Sequence, residues 1–146
     1  MSNEKLTLFY TDDDPDDLEF FKIIVGKISA EYDVVTHMDG PQLLHALENP
    51  PPNPYVLFLD INMPGMNGME ILQKVRESEK FKKLPVIMLS TTNDGTIIQK
   101  TLELGANYYV TKSSGFKELQ DSIEHALQIN WNTFIPNPNN FLYNSN

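Results

Sequence analysis

Tyr55-Val56-Leu57-Phe58-Leu59-Asp60-Ile61-Asn62-Met63-Pro64-Gly65 decides the fold of this chain. Its first five residues are all apolar or aromatic, with no alternation. That is the pattern of a strand buried on both faces, as in a parallel sheet. Pro64 and Gly65 then forbid continuation. Asp60 therefore stands at the C-terminal end of a central strand, where open α/β sheets hold their ligands. A carboxylate there is costly to desolvate unless a cation meets it. Taken alone, Asp60 is no more than an Asp ending a strand in a turn, so the flanking sequence has to decide.

Working outward, Leu6–Tyr10 is a short strand followed by the acidic run Asp12-Asp13-Asp14-Pro15-Asp16-Asp17. Pro and Asp suit a helix start, and Leu18, Phe21, Val25 and Ile28 recur at helical spacing. A helix of roughly three turns is expected there. Tyr32–Thr36 reads as a weaker strand, and Gly40–Asn49 as a helix ended by a proline-rich loop. Met69, Leu72 and Val75 mark a helix. Val86–Leu89 is a further apolar strand, delivering Ser90, Thr91 and Thr92. Asp94–Leu104 reads as a helix with Gly105 as its cap. Tyr108–Val110 is a fifth strand ending at Thr111-Lys112, and Phe116, Leu119, Ile123, Ala126 and Leu127 make an amphipathic helix. Strands alternating with helices, and no internal repeat, give a doubly wound α/β fold: a five-stranded parallel sheet with helices on both faces.

The 146 residues fit one domain, 1–131, and an Asn- and Pro-rich extension, 132–146, with no output domain expected. The extension keeps Phe134, Ile135, Phe141, Leu142 and Tyr143, so it is expected to pack on its own domain or on a partner, giving a capped helix face or a homodimer. A net charge of -9 opposes binding to nucleic acid or to an anionic membrane surface. No cysteine, no apolar run near a membrane span and a polar N-terminus fit a cytoplasmic protein. His37, His45 and His125 lack metal spacing and read as solvated.

One parallel sheet gathers Asp12 and Asp13, Asp60, Ser90 and Thr91, and Lys112 at its C-terminal rim. Three close carboxylates raise the pKa of at least one unless a cation compensates. Oxygen donors without His or Cys point to a hard ion, Mg²⁺ in particular. Ion, ammonium and hydroxyl together form a receptor for a phosphoryl group on the remaining carboxylate. A calcium loop fails, because Asp17 stands where its glycine belongs and Ile23 where its bidentate Glu belongs.

With these residues in register, the chain resembles the CheY-like receiver domain of two-component response regulators over about residues 5 to 130. The resemblance implies the flavodoxin-like strand order 2-1-3-4-5. It implies Asp60 as phosphoacceptor, with Mg²⁺ on the Asp13 and Asp60 side chains and the Asn62 carbonyl, and Asp12 acting largely through water. Ser90, with Thr91 beside it, would bind the phosphoryl oxygens and Lys112 would pair with them. Ser90 and Tyr109 fall at switch positions; Tyr109 by itself reads equally as packing. Asn62 and Thr92 fall where side chains tune hydrolysis. A histidine kinase or phosphotransfer protein is the implied donor. The fourth helix, fifth strand and fifth helix form the implied face for a downstream partner. Family members follow the lysine with a cis proline, whereas Ser113 stands here. The short loop before Phe116 leads to the expectation of a cis Lys112–Ser113 bond. This Lys-Ser pair and the apolar tail also resemble stand-alone receivers paired with bacterial phytochrome kinases. An aspartyl-phosphate phosphohydrolase normally wants an acid where Asn62 stands, and a phosphate-independent pseudo-receiver would lack a carboxylate or the lysine.

Overall fold

Val56–Leu59, strand β3, is the centre of the sheet, and all four residues are buried. The computed structural model describes residues 5–144, so the first four and last two residues of the proposed division lie outside the described residues. In order, the elements are β1 (Leu6–Thr11), α1 (Pro15–Ile28), β2 (Tyr32–His37), α2 (Gly40–Glu48), β3, α3 (Gly68–Glu77), β4 (Val86–Ser90), α4 (Gly95–Glu103), β5 (Tyr108–Thr111) and α5 (Phe116–Gln128). The strands run parallel in the order β2-β1-β3-β4-β5, as expected from the resemblance.

The two-residue period of β3 divides the core into two layers. Val56 and Phe58 join Leu18, Phe21 and Ile24 of α1 and Ile123 and Leu127 of α5. Leu57 and Leu59 join Leu43 and Leu47 of α2, Ile71, Leu72 and Val75 of α3, and Ile97, Ile98 and Leu102 of α4. Each layer needs the other to keep the strands dry, which accounts for the unbroken apolar runs.

Helix starts follow from local chemistry. The Asp14 side chain accepts from the Asp16 N–H and Pro15 opens α1, so the helix begins before its first apolar residue and reaches 14 residues. Asn67 and Glu70 form a capping box at α3. Gly68 is required by close approach: a Cβ there would lie 2.1 Å from the Asp60 carbonyl oxygen. Gly105 follows α4 at φ +105°, a conformation that glycine adopts freely.

The C-terminal extension packs on its own domain. The Tyr109 N–H donates to the Phe141 carbonyl and the Tyr143 N–H to the Tyr109 carbonyl, both at 2.9 Å, pairing Leu142 in parallel with Tyr109 along the β5 edge. Phe141 is 2% exposed and lies against the Tyr109 ring. On the opposite side of β5, Trp131 and Phe134 pack edge-on to Tyr108. Ile135 and Leu142 stay exposed.

The expectation that His37 is solvated fails. His37 is buried at the end of β2, edge-on to Phe9, and neither ring nitrogen has a hydrogen-bond partner among the described residues. Burial lowers its pKa to about 4. The β2 alternation that faces it inward was masked by its polar character.

Candidate functional site: an acidic pocket at the C-terminal rim of the sheet

All five strands point the same way, so their C-terminal ends meet along one edge. The Asp60 N–H donates to the Thr11 carbonyl at 3.0 Å, and the Lys112 N–H to the Ser90 carbonyl at 2.7 Å. The ladder thus fixes the backbone of Asp60 and Lys112 at this edge. Carboxylate oxygens of Asp12, Asp13 and Asp60 lie within 4.8 Å of one another, with Asp13 the most open of the three.

Asp12 is the hub. It is fully buried; its Oδ2 accepts from the Tyr10 hydroxyl and from Lys112 Nζ at 2.6 Å, and its Oδ1 from the Asp14 N–H at 3.0 Å. The Tyr10 phenol is consequently pushed far above its ordinary range, by burial first and by the Asp12 charge next. Lys112 Nζ also donates to Asp17 Oδ2 at 2.8 Å and stands 3.6 Å from Asp60 Oδ2. Burial alone would lower the lysine's pKa, but the bonds to Asp12 and Asp17 outweigh it and raise it.

Asp60 is 5% exposed. Its Oδ1 accepts from the Ile61 N–H at 2.8 Å. Its pKa rises to about 6; burial is the main cause, Lys112 opposes it and Asp12 adds to it. The expectation that one carboxylate of the cluster is raised holds, with desolvation ahead of mutual repulsion as the cause.

The other sequence-derived residues lie around this pocket. The buried Ser90 hydroxyl accepts from the Thr92 N–H at 3.3 Å. Thr91 is exposed and lines a cleft with Asp17, Phe20, Lys112 and Phe116. Asn62 Nδ2 donates to Thr92 Oγ1 at 2.9 Å, bringing together two residues thirty positions apart. The Tyr109 hydroxyl donates to the Thr92 carbonyl at 2.6 Å, so the ring ties β5 to the loop after β4.

The Lys112–Ser113 expectation fails. Among the described residues the cis bonds are Pro50–Pro51 and Pro51–Pro52, so Lys112–Ser113 is trans. A non-proline cis bond costs about 2.5–4 kcal/mol, and the lysine stem reaches Asp12 and Asp17 without it. Sequence reasoning also missed Asp17 and Tyr10. Asp17 looked like one more residue of an acidic turn, and its place in the first turn of α1 was the available signal. Tyr10 read only as a strand residue.

Residues 8–124 match the family model described as "Response regulator receiver domain". The chain is 37% identical to the two-component response regulator ORR11 of Oryza sativa subsp. indica, over 62% of this chain and 61% of that one, about three-fifths of that relative's length. It is 24% identical to response regulator Rcp1 of Synechocystis sp., over 81% of this chain and 84% of Rcp1. The solved Mn(2+)-bound form of Rcp1 superposes with a TM-score of 0.75 at 22% identity, over 91% of this chain and 99% of that one. The bacteriophytochrome response regulator RtBRR superposes with a TM-score of 0.71 at 32% identity, over 93% of this chain and 86% of that one. With the sheet order, the acidic pocket and a family match running from β1 into α5, the chain belongs to the response regulator receiver domains of two-component signalling.

Proposed function

We propose that the chain is a phosphorylation-controlled switch that accepts a phosphoryl group on Asp60 from a histidine kinase or phosphotransfer protein and signals through protein contacts. The observation that carries this reading is the convergence of Asp12, Asp13, Asp60 and Lys112 at one rim of the sheet. In the transfer, an Asp60 oxygen forms a bond to phosphorus while the phosphorus–nitrogen bond of a phosphohistidine breaks. The donor imidazole keeps that electron pair. Ser90 and Thr91 would bind the phosphoryl oxygens and Lys112 would pair with them.

The residues fit Mg²⁺: the donors are hard oxygens, clustered and only partly offset by one ammonium. Asp13, Asp60 and the Asn62 carbonyl would hold the ion, with Asp12, whose oxygens already accept protein hydrogen bonds, acting through water. Bound there, the ion supplies charge neutralisation for the incoming phosphoryl oxygens. Rcp1, a relative, has a solved Mn(2+)-bound form, which supports a divalent site.

Phosphorylation adds roughly -1.5 to -2 charge at the rim. Ser90 and Tyr109 are the proposed relay, supported by the Tyr109 bond to the Thr92 carbonyl. Asn62 and Thr92, already bonded to each other, would tune hydrolysis. The α4–β5–α5 face would engage the downstream partner, with residues 1–131 forming the domain and 132–146 its extension. The expected setting is the cytoplasm; among the described residues no helix is long and apolar enough to cross a membrane. Beyond that transfer, the chain's own chemistry would be limited to slow self-phosphorylation from small donors and slow self-dephosphorylation. Intact mass after acetyl phosphate and Mg²⁺ tests the reading: wild type gains one phosphoryl group and Asp60→Asn gains none. An equal gain in both would overturn it.

A further inference from the structure

Lys112 carries three ammonium protons, and two are engaged. Asp12 Oδ2 takes one at 2.6 Å and Asp17 Oδ2 another at 2.8 Å. Asp60 Oδ2, at 3.6 Å, lies beyond hydrogen-bond distance though within ion-pair range. The two engaged carboxylates differ in kind. Asp12 is buried, and its oxygens also accept from Tyr10 and Asp14, so it is a fixed anchor. Asp17 is 35% exposed at its side chain and, among the described residues, makes no other hydrogen bond or ion pair. It stands in the first turn of α1, where the helix dipole and water both stabilise a free carboxylate. Giving up the lysine would therefore cost Asp17 little.

We propose that Asp17 is a positioning residue that holds Lys112 off Asp60 in the resting site and releases it to the phosphoryl group once Asp60 is modified. This rests on Asp60 being the phosphoacceptor. In the resting state the hold leaves Asp60 Oδ2 without a hydrogen bond from the ammonium, which would otherwise tie up a lone pair needed to attack phosphorus. Afterwards a phosphoryl group of roughly -1.5 to -2 charge competes against one half-solvated carboxylate and takes the lysine. Asp12 keeps its grip in both states, so Nζ pivots about that oxygen. The freed Asp17 then presents a negative charge beside Phe20 and Phe116 in the cleft between α1 and the loop before α5.

An incidental ion pair at a helix start would instead change stability slightly and leave acceptance untouched. Asp17→Asn keeps the shape and removes the charge; Asp17→Glu restores it. Both are compared with wild type by melting temperature, by the rate of phosphoryl uptake from acetyl phosphate at saturating Mg²⁺, and by crystal structures grown without divalent ions. In Asp17→Asn, Nζ should close to hydrogen-bond distance from Asp60. Uptake should fall about tenfold, the weight of one charge-assisted hydrogen bond on the attacking oxygen, with the Mg²⁺ half-saturation point unchanged. Asp17→Glu should return the rate to within about twofold of wild type. Wild type modified at Asp60 while Asp17→Asn accepts at the same rate, or keeps Nζ where it is, overturns this proposal alone. A wild type modified elsewhere, or not at all, overturns the phosphoacceptor reading and this one with it.

Discussion

Asp60→Asn should make the ion-free protein more stable at neutral pH, because the wild-type carboxylate is buried where its charge is poorly solvated. Its pKa rises from 3.8 to about 6 on folding, chiefly by desolvation, after the opposing pull of Lys112. A carboxyl group with a raised folded-state pKa stabilises the fold while protonated. That contribution is complete below about pH 4 and is lost as the pH climbs through 6. At about 1.4 kcal/mol per pH unit, the loss by pH 8 comes to about 3 kcal/mol. Asparagine never ionises and avoids it. For a chain of this length the gain corresponds to roughly 6–12 °C in melting temperature. Thermal unfolding of both proteins in chelator, from pH 4 to pH 8, measures it. The curves should converge near pH 4, part between pH 4 and 6, and keep a constant gap above that. A constant offset across that range, or a variant less stable at pH 8, would refute the assignment of Asp60 as a desolvated carboxylate.

His37 works in the opposite direction. Its pKa is depressed from 6.5 to about 4, so the neutral ring stabilises the fold above pH 6.5 and that contribution drains away as the pH falls toward 4. His37→Phe should flatten the acid limb of the stability profile by about 3 kcal/mol, and an unchanged limb would show the ring to be solvated. Phe141→Ala should cost about 3–5 kcal/mol if the extension is docked as described. Truncation after Trp131 should lower the melting temperature with no change in mass by light scattering; loss of a dimer instead would mean that the extension joins two copies.

The pattern of apolar runs was enough to determine the sheet, its parallel sense and the convergence of Asp12, Asp13, Asp60, Ser90 and Lys112 on one rim. Unbroken apolar runs and the stop at Pro64-Gly65 are local properties, and a parallel sheet converts them directly into position. What the tertiary structure alone decided is which neighbour each charge chose. Lys112 is 100 residues from Asp12 and 95 from Asp17, and nothing in either segment shows that Asp17, rather than Asp16, faces it. The trans bond at Ser113 depended on the same pairing, since the reach of a flexible stem is set by where its partners stand. His37 and the extension are alike in this respect. A polar residue turns inward, and an Asn-rich tail lies along β5, only because Phe9, Tyr108 and Tyr109 offer surfaces to cover. Burial is a property of the assembled fold, and no window of sequence contains both sides of such a contact.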